Sequence, residues 1–343
     1  MEELFENWEA SPSQPDMDNE LKKIRRNLRR RNWKTILTSV VLVIAILFAA
    51  VRYGIPALES RYWDPTVCTY LDDVTDLELT MATYTELFGH GRHFGTVGIQ
   101  KQGFAAYALD TIFLDWKNMH NLTDVTYRST VLDRGQMDIP FNFWSDTERG
   151  FIIRTLSEFE DYIQGRNEQT KALLSTLPDY IQILASITFS EDQTMYQLCE
   201  LKRTNMDTTR FLWAVLRNDP EAEYFGRCGV DLTFHHNERY SPSFWRNSDY
   251  PHLFFDTDWS GTYLEQHVTS MLQFSADQFH AGTGFSPGGE DGTFYRATLD
   301  YLEENGIYSY GAYVIATPSA LLEMLEDGTA AHIELIDAQI GLS

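Results

Sequence analysis

The longest apolar run of the chain lies near its N-terminus, where residues 35–51 read TILTSVVLVIAILFAAV without a charged side chain. As a helix that rises about 1.5 Å per residue, this run covers roughly 25 Å. Counted outward to Trp33 and Tyr53, it matches the thickness of a bilayer's hydrocarbon core. Both aromatic residues stand at positions typical of the membrane interface, and Lys34 and Arg52 can extend their charges into the head groups.

The run predicts an uncleaved transmembrane helix over residues 35–55. A cleaved signal peptide and a buried helix of a soluble protein are the alternatives. A signal peptide ends in a small-x-small pair, but Phe48 stands two positions before Ala50, and Leu47 stands two positions before Ala49. The basic stretch before the run also follows a long polar leader, which is unlike the start of a signal peptide.

The charges that flank the run predict its orientation. Eight Lys or Arg and no acidic residue lie between Leu21 and Lys34, whereas only Arg52 and Arg61 follow closely after the run. Because positively charged segments stay on the cytoplasmic side, residues 1–34 are predicted to form a cytoplasmic tail with a basic juxtamembrane segment. Everything that follows the run is predicted to lie outside the cell, so the protein is predicted to be a single-pass protein of the cell membrane.

The first ten residues, MEELFENWEA, are acidic but carry an apolar face. Leu4, Phe5 and Trp8 are spaced so that they share one side of a helix, which predicts a docking peptide for a partner protein. The alternative is a disordered tail with incidental aromatic residues, since an isolated helix this short is marginal. Residues 11–16, SPSQPD, are predicted to be a proline-broken linker, and helix-favouring sequence begins at Leu21.

Beyond residue 90 the apolar spacing changes to that of strands. Short runs of β-branched and aromatic residues are separated by Gly, Asn and Asp, and the tetrapeptide DRGQ at 133–136 is typical of a hairpin turn. A weak helical stripe that includes Leu77 and Met81 precedes these runs. Together they predict a β-rich membrane-proximal region over residues 56–156. The predicted strands are 94–99, 104–114, 126–132, 137–143 and 151–156.

A different pattern begins near Ser157. Ser157 and Glu160 fit a capping box, which predicts the start of a helix that Pro178 ends. Over residues 181–189 every second side chain is apolar, and this alternation predicts a strand with one buried face.

A second helix and strand follow directly. Ser190 and Gln193 fit another capping box, for a helix predicted over residues 194–202. The almost continuous apolar run RFLWAVL at 210–216 predicts the next strand. These segments form one strand-helix-strand unit.

The pattern recurs near the C-terminus. Asn305-Gly306 predicts a turn into a strand, Thr317 and Pro318 suit the cap and first turn of a helix, and Gly328 suits its end. The elements predicted in this part are helices at 261–279, 293–304 and 319–326 and strands at 308–316 and 333–340. The last three elements form a second strand-helix-strand unit.

The predicted fold class is α+β. It combines the single N-terminal transmembrane helix, the β-rich region, and an α/β domain over residues 157–343 built of the two strand-helix-strand units. A ferredoxin-like arrangement is one candidate for this domain, although strand order cannot be read from sequence.

Composition narrows the functions that the outer part can have. Of the 50 acidic residues, 43 follow the apolar run, against 19 of the 27 basic residues. A surface this acidic repels nucleic acid and anionic lipid, so we predict no direct nucleic-acid contact for it. The three cysteines, Cys68, Cys199 and Cys228, are too few for a disulfide scaffold. Two alternatives stay open, namely a Cys199–Cys228 bridge and three unpaired thiols.

One stretch matches a catalytic motif as a string. The sequence GFSPG at 284–288 matches the G-x-S-x-G motif of serine hydrolases, with Ser286 as the nucleophile. A nucleophile elbow needs a strand before the serine and a helix after it. Here helical sequence precedes Ser286, and Pro287 restricts the serine to extended geometry. A glycine-rich loop is the better interpretation.

The histidine clusters are His90 with His93, and His235-His236 with Glu238. Neither cluster has the spacing of a defined metal site, and surface loops are the better interpretation. The sequence thus predicts neither a catalytic site nor a metal or cofactor site, and the chain is predicted not to be an enzyme.

Several segments together resemble one known family. They are RRNLRRRNWKTILTSVVLVIAILF at the N-terminal span, TLPDYIQILASITFSEDQTMYQL and RFLWAV in the first strand-helix-strand unit, and YLEENGIYSYGAYVIATPSALLEMLEDG in the second. In this order they resemble the membrane-anchored sigma factor regulators, which are anti-sigma factors of Gram-positive bacteria. The similarity covers residues 21–50 and 166–343.

The resemblance implies a function. It predicts a regulator whose outer domain senses a signal and whose cytoplasmic tail restrains an extracytoplasmic-function sigma factor, with Leu4, Phe5 and Trp8 as the contact face of the tail. The expected partners are this sigma factor and the lipid bilayer, and the outer ligand is unknown. Two alternatives stay open, namely an extracytoplasmic binding or scaffold protein without a sigma partner, and a membrane-tethered hydrolase that uses Ser286.

Overall fold

The computed structural model divides the chain into two compact units, residues 1–61 and 62–343. The residues that the structure describes are 14–70, 74–89, 92–115, 124–137, 153, 155–218, 228–233, 250–253, 260–278 and 292–340. The fold class is α+β, with a long apolar N-terminal helix and two antiparallel sheets.

The first unit is one long helical rod. Helix α1 spans Gln14–Ala49, a π-helical turn covers Ala50–Gly54, and α2 spans Ile55–Glu59. The helix therefore begins within the predicted linker. Pro15 is tolerated there because it lies in the first turn, where its missing N–H costs no hydrogen bond. The linker prediction is wrong from Gln14 onward, and the helix extends four residues beyond the predicted end at residue 55.

Proline explains the π-helical turn. Pro56 has no N–H to donate, and its ring clashes with the carbonyl four residues earlier in a regular helix. The wider turn before it separates these groups, with the N–H of Ile55 donating to the carbonyl of Ala50. The helix thereby passes the proline without ending.

The second unit contains a four-stranded antiparallel sheet in the order β1-β2-β3-β4. Its strands are β1 Arg92–Gly103, β2 Ala106–Asp115, β3 Asp124–Asp133 and β4 Gln136–Met137. The predicted hairpin turn is confirmed: Asp133 pairs with Gln136, and Arg134 and Gly135 take φ angles of 52° and 81°.

One predicted strand of this region is wrong. Of residues 151–156, the described positions 153, 155 and 156 lie in no strand, and Leu156–Glu158 forms a short 3-10 helix. The backbone N–H of Ile153 donates to the Thr188 hydroxyl at 2.9 Å. The acceptor is therefore a side-chain oxygen and not the backbone carbonyl of a neighbouring strand. Of the predicted strand at 137–143, only Met137 is described, and it ends β4.

A helix precedes the sheet where the sequence shows only a weak stripe. Helix α3 spans Asp76–Phe88, and Thr75 caps it in a capping box with Glu78. Both Leu77 and Met81 are buried, but so are nine other residues of this helix. A helix buried on nearly all sides has no solvent face, and for this reason its periodicity is weak.

The second sheet has five antiparallel strands in the order β7-β6-β8-β5-β9. The strands are β5 Ile181–Thr194, β6 Thr209–Leu216, β7 Gly229–Asp231, β8 Tyr308–Ala316 and β9 Ala330–Ile340. The predicted strands at 181–189, 210–216, 308–316 and 333–340 are confirmed. Every pair of neighbouring strands described in this sheet is antiparallel, and β8 lies between β5 and β6.

Five helices of the described residues accompany this sheet. They are α4 Glu160–Leu174, α5 Met195–Thr204, α6 Gly261–Gln278, α7 Gly292–Asn305 and α8 Pro318–Glu326. The start of α8 is confirmed, since Thr317 caps it and Pro318 is its first residue. Gly306 and Gly328 take positive φ angles at the predicted turn and helix end.

Both capping boxes predicted before Met195 are wrong. Ser157 lies in the 3-10 helix, and α4 begins after Phe159 without a side-chain cap. Helix α5 is instead capped by Thr194 and Gln197, four residues beyond the predicted pair. Strand β5 decides this position, because its pairing with β8 keeps the backbone extended through Thr194.

The regions predicted as residues 56–156 and 157–343 share one apolar core. The cluster includes Leu77 and Phe88 of α3, Phe113 of β2, Ile187 of β5 and Met271 of α6, all of them buried. A core with contributions from α3 and from both sheets makes residues 62–343 one compact unit.

Candidate functional site

The predicted membrane-interface residues lie at the two ends of one exposed helical segment. Trp33 and Lys34 precede the apolar run in α1, and Arg52 and Tyr53 lie in the π-helical turn. Trp33 is 64% exposed and Tyr53 is 70% exposed. Every described residue from Asp18 to Tyr53 is exposed.

By length and composition this is a helix that could cross a membrane. It is the one such candidate among the described residues, and it extends over Asp18–Glu59. The hydroxyl groups of Thr35 and Thr38 donate to the carbonyls of Arg31 and Lys34, at 3.0 and 2.8 Å. Because the helix itself satisfies these hydroxyls, neither needs water or a second protein segment as its partner.

Several predicted residues lie outside the described part of the chain. They are the tail residues Leu4, Phe5 and Trp8, the serine Ser286, and the cluster residues His90, His235, His236 and Glu238. The roles predicted for them remain predictions. His93 is described, and the loop interpretation is wrong for it, because it lies in β1 with only 12% of its side chain exposed.

None of the three cysteines, all of which the structure describes, forms a disulfide bond. Cys68 is exposed, Cys199 is half-buried and Cys228 is buried. The alternative of a Cys199–Cys228 bridge is therefore wrong. Burial raises the pKa of the Cys228 thiol to about 12 and also raises the pKa of Cys199. Both thiols are protonated at neutral pH, and Cys68 is the most accessible to reagents in solution.

The structure brings His93 together with residues that the sequence places far away. Its Nδ1 lies 2.8 Å from a carboxylate oxygen of Asp231 in β7. Its Nε2 lies 3.3 Å from the Thr233 hydroxyl, which in turn donates to Asp231 at 2.6 Å. Burial alone would raise the pKa of Asp231, but the His93 imidazole and the hydrogen bonds from Thr233 hold it below its usual value.

A second histidine joins α6 to α3. The Nε2 of His267 lies 2.7 Å from a Glu86 carboxylate oxygen, and its Nδ1 lies 2.7 Å from the His252 carbonyl. A carboxylate and a carbonyl both accept, so with an ionised Glu86 side chain both ring nitrogens donate and the imidazole carries a positive charge. Burial alone would lower the pKa of His267, but the Glu86 carboxylate and the His252 carbonyl raise it above its usual value.

Trp213 connects this pair to the second sheet. Its indole N–H donates to the backbone carbonyl of Glu86 at 2.8 Å. This hydrogen bond joins strand β6 to the C-terminal end of α3. The ring is 1% exposed and lies against Gly229 of β7. Glu86 therefore holds His267 with its side chain and Trp213 with its main chain.

Lys202 of α5 also lies near Asp231. Its ammonium group donates to the Leu232 carbonyl. Burial lowers the pKa of Lys202 to about 8, although the Asp231 carboxylate acts in the opposite direction. At neutral pH most of this lysine is charged, and the negative charges of Asp231 and Glu86 are balanced by nearby cations.

We name these residues the junction cluster, which consists of Glu86, His93, Lys202, Asp231 and His267. The hydrogen bonds described above give the carboxylates and imidazoles protein partners, which is the arrangement of a structural ion-pair network. No group of three or more His, Cys, Asp or Glu side chains placed to hold a metal ion occurs in the described ranges. The cluster can therefore fasten α3, β1, β7 and α6 together.

Of this cluster, only His93 belongs to a motif that the sequence marks. The partners of each pair are separated by long stretches of chain, 181 residues in the case of Glu86 and His267. No local spacing marks such a pair. Comparison with known proteins adds no identification, because no protein family, curated protein or solved structure matches the chain.

Proposed function

We propose that this protein is a single-pass membrane regulator whose cytoplasmic tail restrains an extracytoplasmic-function sigma factor. The observation that carries the proposal is the helix of Asp18–Glu59, with its basic segment, uncharged apolar run and terminal aromatic residues. Every described residue of its apolar run is exposed, and water is an unfavourable solvent for a surface of this kind. A bilayer supplies the apolar solvent that the helix requires.

The proposed orientation follows from charge. Eight basic residues precede the apolar run without an acidic residue among them, which favours a cytoplasmic N-terminus. The compact unit of residues 62–343 then lies outside the cell, where its acidic surface remains soluble. This arrangement leaves the tail as the part that can contact a cytoplasmic sigma factor.

The sigma partner is proposed from the family resemblance of the sequence. The strand order observed for β5, β6, β8 and β9 supports a ferredoxin-like arrangement for the region of that resemblance. In this arrangement β8 separates the two strands that α5 connects, and β9 pairs with the outer side of β5. The region adds two helices and a short strand to this plan between β6 and β8.

The test of the function is co-purification of the full-length protein from its own host in mild detergent, with mass spectrometry of the bound proteins. We expect recovery of a sigma factor that is lost when residues 2–20 are deleted. This deletion keeps all eight bases next to the span, so orientation is retained. Clean recovery without a sigma factor, under conditions that preserve other membrane complexes, would favour an extracytoplasmic binding protein.

The tail contact has its own test. Changing Leu4, Phe5 and Trp8 together to alanine removes the apolar face. We expect sigma-dependent transcription to rise about tenfold. A variant with Ser11 and Ser13 changed to alanine is the control, and it should keep transcription repressed. Repression that survives the triple change would show that this face is not the contact.

The exposed thiol of Cys68 offers a test of orientation. A membrane-impermeant maleimide added to intact protoplasts should label Cys68 and not the buried Cys228. The Cys68→Ser variant should lose this labelling. A Ser13→Cys substitution in the Cys68→Ser background should be labelled only after the membrane is permeabilised. The opposite pattern would reverse the proposed topology.

A further inference from the structure

Helix α4 is held against one edge of the second sheet by polar contacts. The Asn167 amide donates to the Ala331 carbonyl at 2.6 Å, and the Thr170 hydroxyl donates to the Ile333 carbonyl at 3.5 Å. Both carbonyls belong to β9, the last strand in the order of the described sheet. Side chains of α4 therefore occupy backbone acceptors that an edge strand otherwise leaves open.

Few apolar contacts support this attachment. All 15 residues of α4 are described, and Leu174 is the only one that is buried. The helix begins without a side-chain cap, and Gly165 within it lowers its intrinsic helix stability. A peripheral helix with few buried apolar contacts opens at a lower free energy than the core of a protein. A modest change in its polar contacts is therefore enough to shift α4 between an attached and a detached state.

A buried histidine of β9 lies at this contact. His332 is 1% exposed, and its Nδ1 lies 2.8 Å from Oδ1 of Asn167. Because the Asn167 nitrogen donates to a carbonyl, its Oδ1 faces the ring and accepts, which assigns the proton to Nδ1. The other ring nitrogen, Nε2, is buried without a hydrogen-bond partner among the described residues. This arrangement fits the neutral imidazole.

Charged side chains act on this imidazole from both elements of the contact. Burial lowers the pKa of His332 below its usual value. Glu334, on the same strand, acts in the opposite direction, whereas Arg166 of α4 lowers the pKa further. Arg166 and Glu334 also form an ion pair at 3.8 Å. The positive charge on α4 therefore faces the ring that a proton would make positive.

The other neighbours of the ring are uncharged at neutral pH. The ring of Tyr162 on α4 lies 5.8 Å away, centroid to centroid, and Thr188 of β5 is the strand partner of His332. Helix α8 shares the apolar core with Ile333, whose side chain points to the opposite face of β9.

A proton on Nε2 would add both a charge and an unmatched donor to the contact. The new N–H would find no acceptor among the described residues, and its positive charge would face Arg166. Burial of such a group is unfavourable unless it is paired and hydrogen-bonded. Detachment of α4 relieves both effects, because water then reaches the ring.

We propose that His332 is an acid-operated switch that detaches α4 from β9 when the surroundings of this unit become acidic. The neutral ring and Asn167 hold the helix in place, and a proton on Nε2 favours the detached helix. Detachment uncovers the carbonyls of Ala331 and Ile333 at the edge of the sheet. The inference concerns the compact unit of residues 62–343 alone, and it stands whether or not the tail binds a sigma factor.

Proton linkage sets the direction and the limit of the effect. Because the pKa of His332 is lowered in the attached state, attachment is unaffected well above the ordinary histidine value of about 6.5. Attachment weakens as pH falls below that value, since the detached form then binds the proton more tightly. At one pH unit below it, a single histidine weakens attachment at most about tenfold.

Hydrogen–deuterium exchange of the full-length protein in detergent, read by mass spectrometry on peptides of α4, tests the switch at pH 7.5 and pH 5.5. Exchange rates are corrected for the effect of pH on unfolded peptides. We expect the corrected exchange of α4 to be about fivefold faster at pH 5.5. Peptides of α7 supply the internal control, and their corrected exchange should stay within about twofold.

Two histidine variants assign the effect. His332→Asn removes the titrating ring and keeps an N–H donor near the position of Nδ1, so its α4 exchange should no longer depend on pH. His252→Asn is the matched control, because the ring of His252 packs on Tyr263 of α6, and it should keep the fivefold change. Equal pH dependence in His332→Asn and the wild type would overturn the inference.

Arg166→Gln decides the case in which His332→Asn detaches the helix already at pH 7.5. The change removes the cation that disfavours the protonated ring, so the ratio of exchange at the two pH values should fall by about half. Arg203→Gln on the surface of α5 is the matched control and should keep the wild-type ratio. Equal ratios in the two arginine variants, or a wild-type α4 that exchanges equally at both pH values, would show that His332 is not the switch.

Discussion

Replacing Gly229 with alanine should destabilise the folded unit of residues 62–343 by about 3 kcal/mol. A Cβ atom at this position would lie 1.9 Å from Cζ2 of Trp213 and 2.3 Å from two further ring atoms. The indole cannot move aside easily, because it is 1% exposed and its N–H donates to the Glu86 carbonyl. Relief of the clash therefore costs either packing or this hydrogen bond.

Thermal unfolding of the full-length protein in detergent, followed by near-ultraviolet circular dichroism, measures the effect. We expect the Tm of Gly229→Ala to fall by roughly 10 °C. Gly98→Ala is the matched control, since Gly98 also lies in a strand but its added Cβ would meet Asp110 atoms at an ordinary 3.8 Å. Equal Tm values for the two variants would mean that Trp213 does not pack against Gly229 in this way.

The Glu86–His267 pair should give the second large effect. We expect Glu86→Gln to cost about 2 kcal/mol at neutral pH, because the buried imidazolium loses its counter-charge. The cost is below that of a fully buried pair, since 24% of the Glu86 side chain is exposed. The change is nearly isosteric, so loss of charge accounts for most of the expected difference.

The same pair should make stability depend on pH. The pKa of His267 is raised in the folded state, so its stabilisation is fully present below the unfolded value of about 6.5 and is lost as pH rises through the folded pKa. Asp231 acts in the opposite sense, because its pKa is lowered and its stabilisation is lost only in acid. The contribution of His267 to wild-type stability should therefore decline as pH rises, whereas Lys202, with its pKa lowered to about 8, acts in the opposite sense only above about that pH.

Denaturant unfolding of the detergent-solubilised protein between pH 6 and pH 9 would measure this decline. The slope on the alkaline side should be smaller in Glu86→Gln. Exposed Glu303 on α7 supplies the control, because Glu303→Gln removes a carboxylate without touching the pair. An unchanged alkaline slope in Glu86→Gln would contradict the assignment of His267 as the titrating group.

Many elements were predictable because a local pattern determined them. Strand β5 reads as alternating residues because one of its faces carries apolar side chains, whereas the other carries Ser186 and Thr188, which are also buried. Helix α8 begins at a Thr-Pro pair whose cap and first-turn geometry involve only neighbours. The turn at Asp133–Gln136 follows from the backbone freedom of glycine. The apolar run of residues 35–51 needs no partner within the chain, and its helix was therefore the most direct prediction.

Other features were decided by contacts across long stretches of chain. Helix α3 is buried on nearly all sides, which removes the amphipathic pattern that would reveal it. Two capping boxes four residues apart compete before α5, and pairing of β5 with β8 selects the one at Thr194. The partners of the candidate site likewise meet only in the folded chain.

The sequence by itself determined the long apolar helix, its flanking charges, and the principal strands and helices of the C-terminal half. These depend on spacing, local hydrogen bonds and the identity of neighbouring residues. The antiparallel strand order, the lack of a disulfide bond between Cys199 and Cys228, and the pairing of His93 with Asp231 and of His267 with Glu86 depend on the tertiary structure. Such pairings form when packing of an apolar core brings distant segments together, and no local pattern encodes which segments will meet.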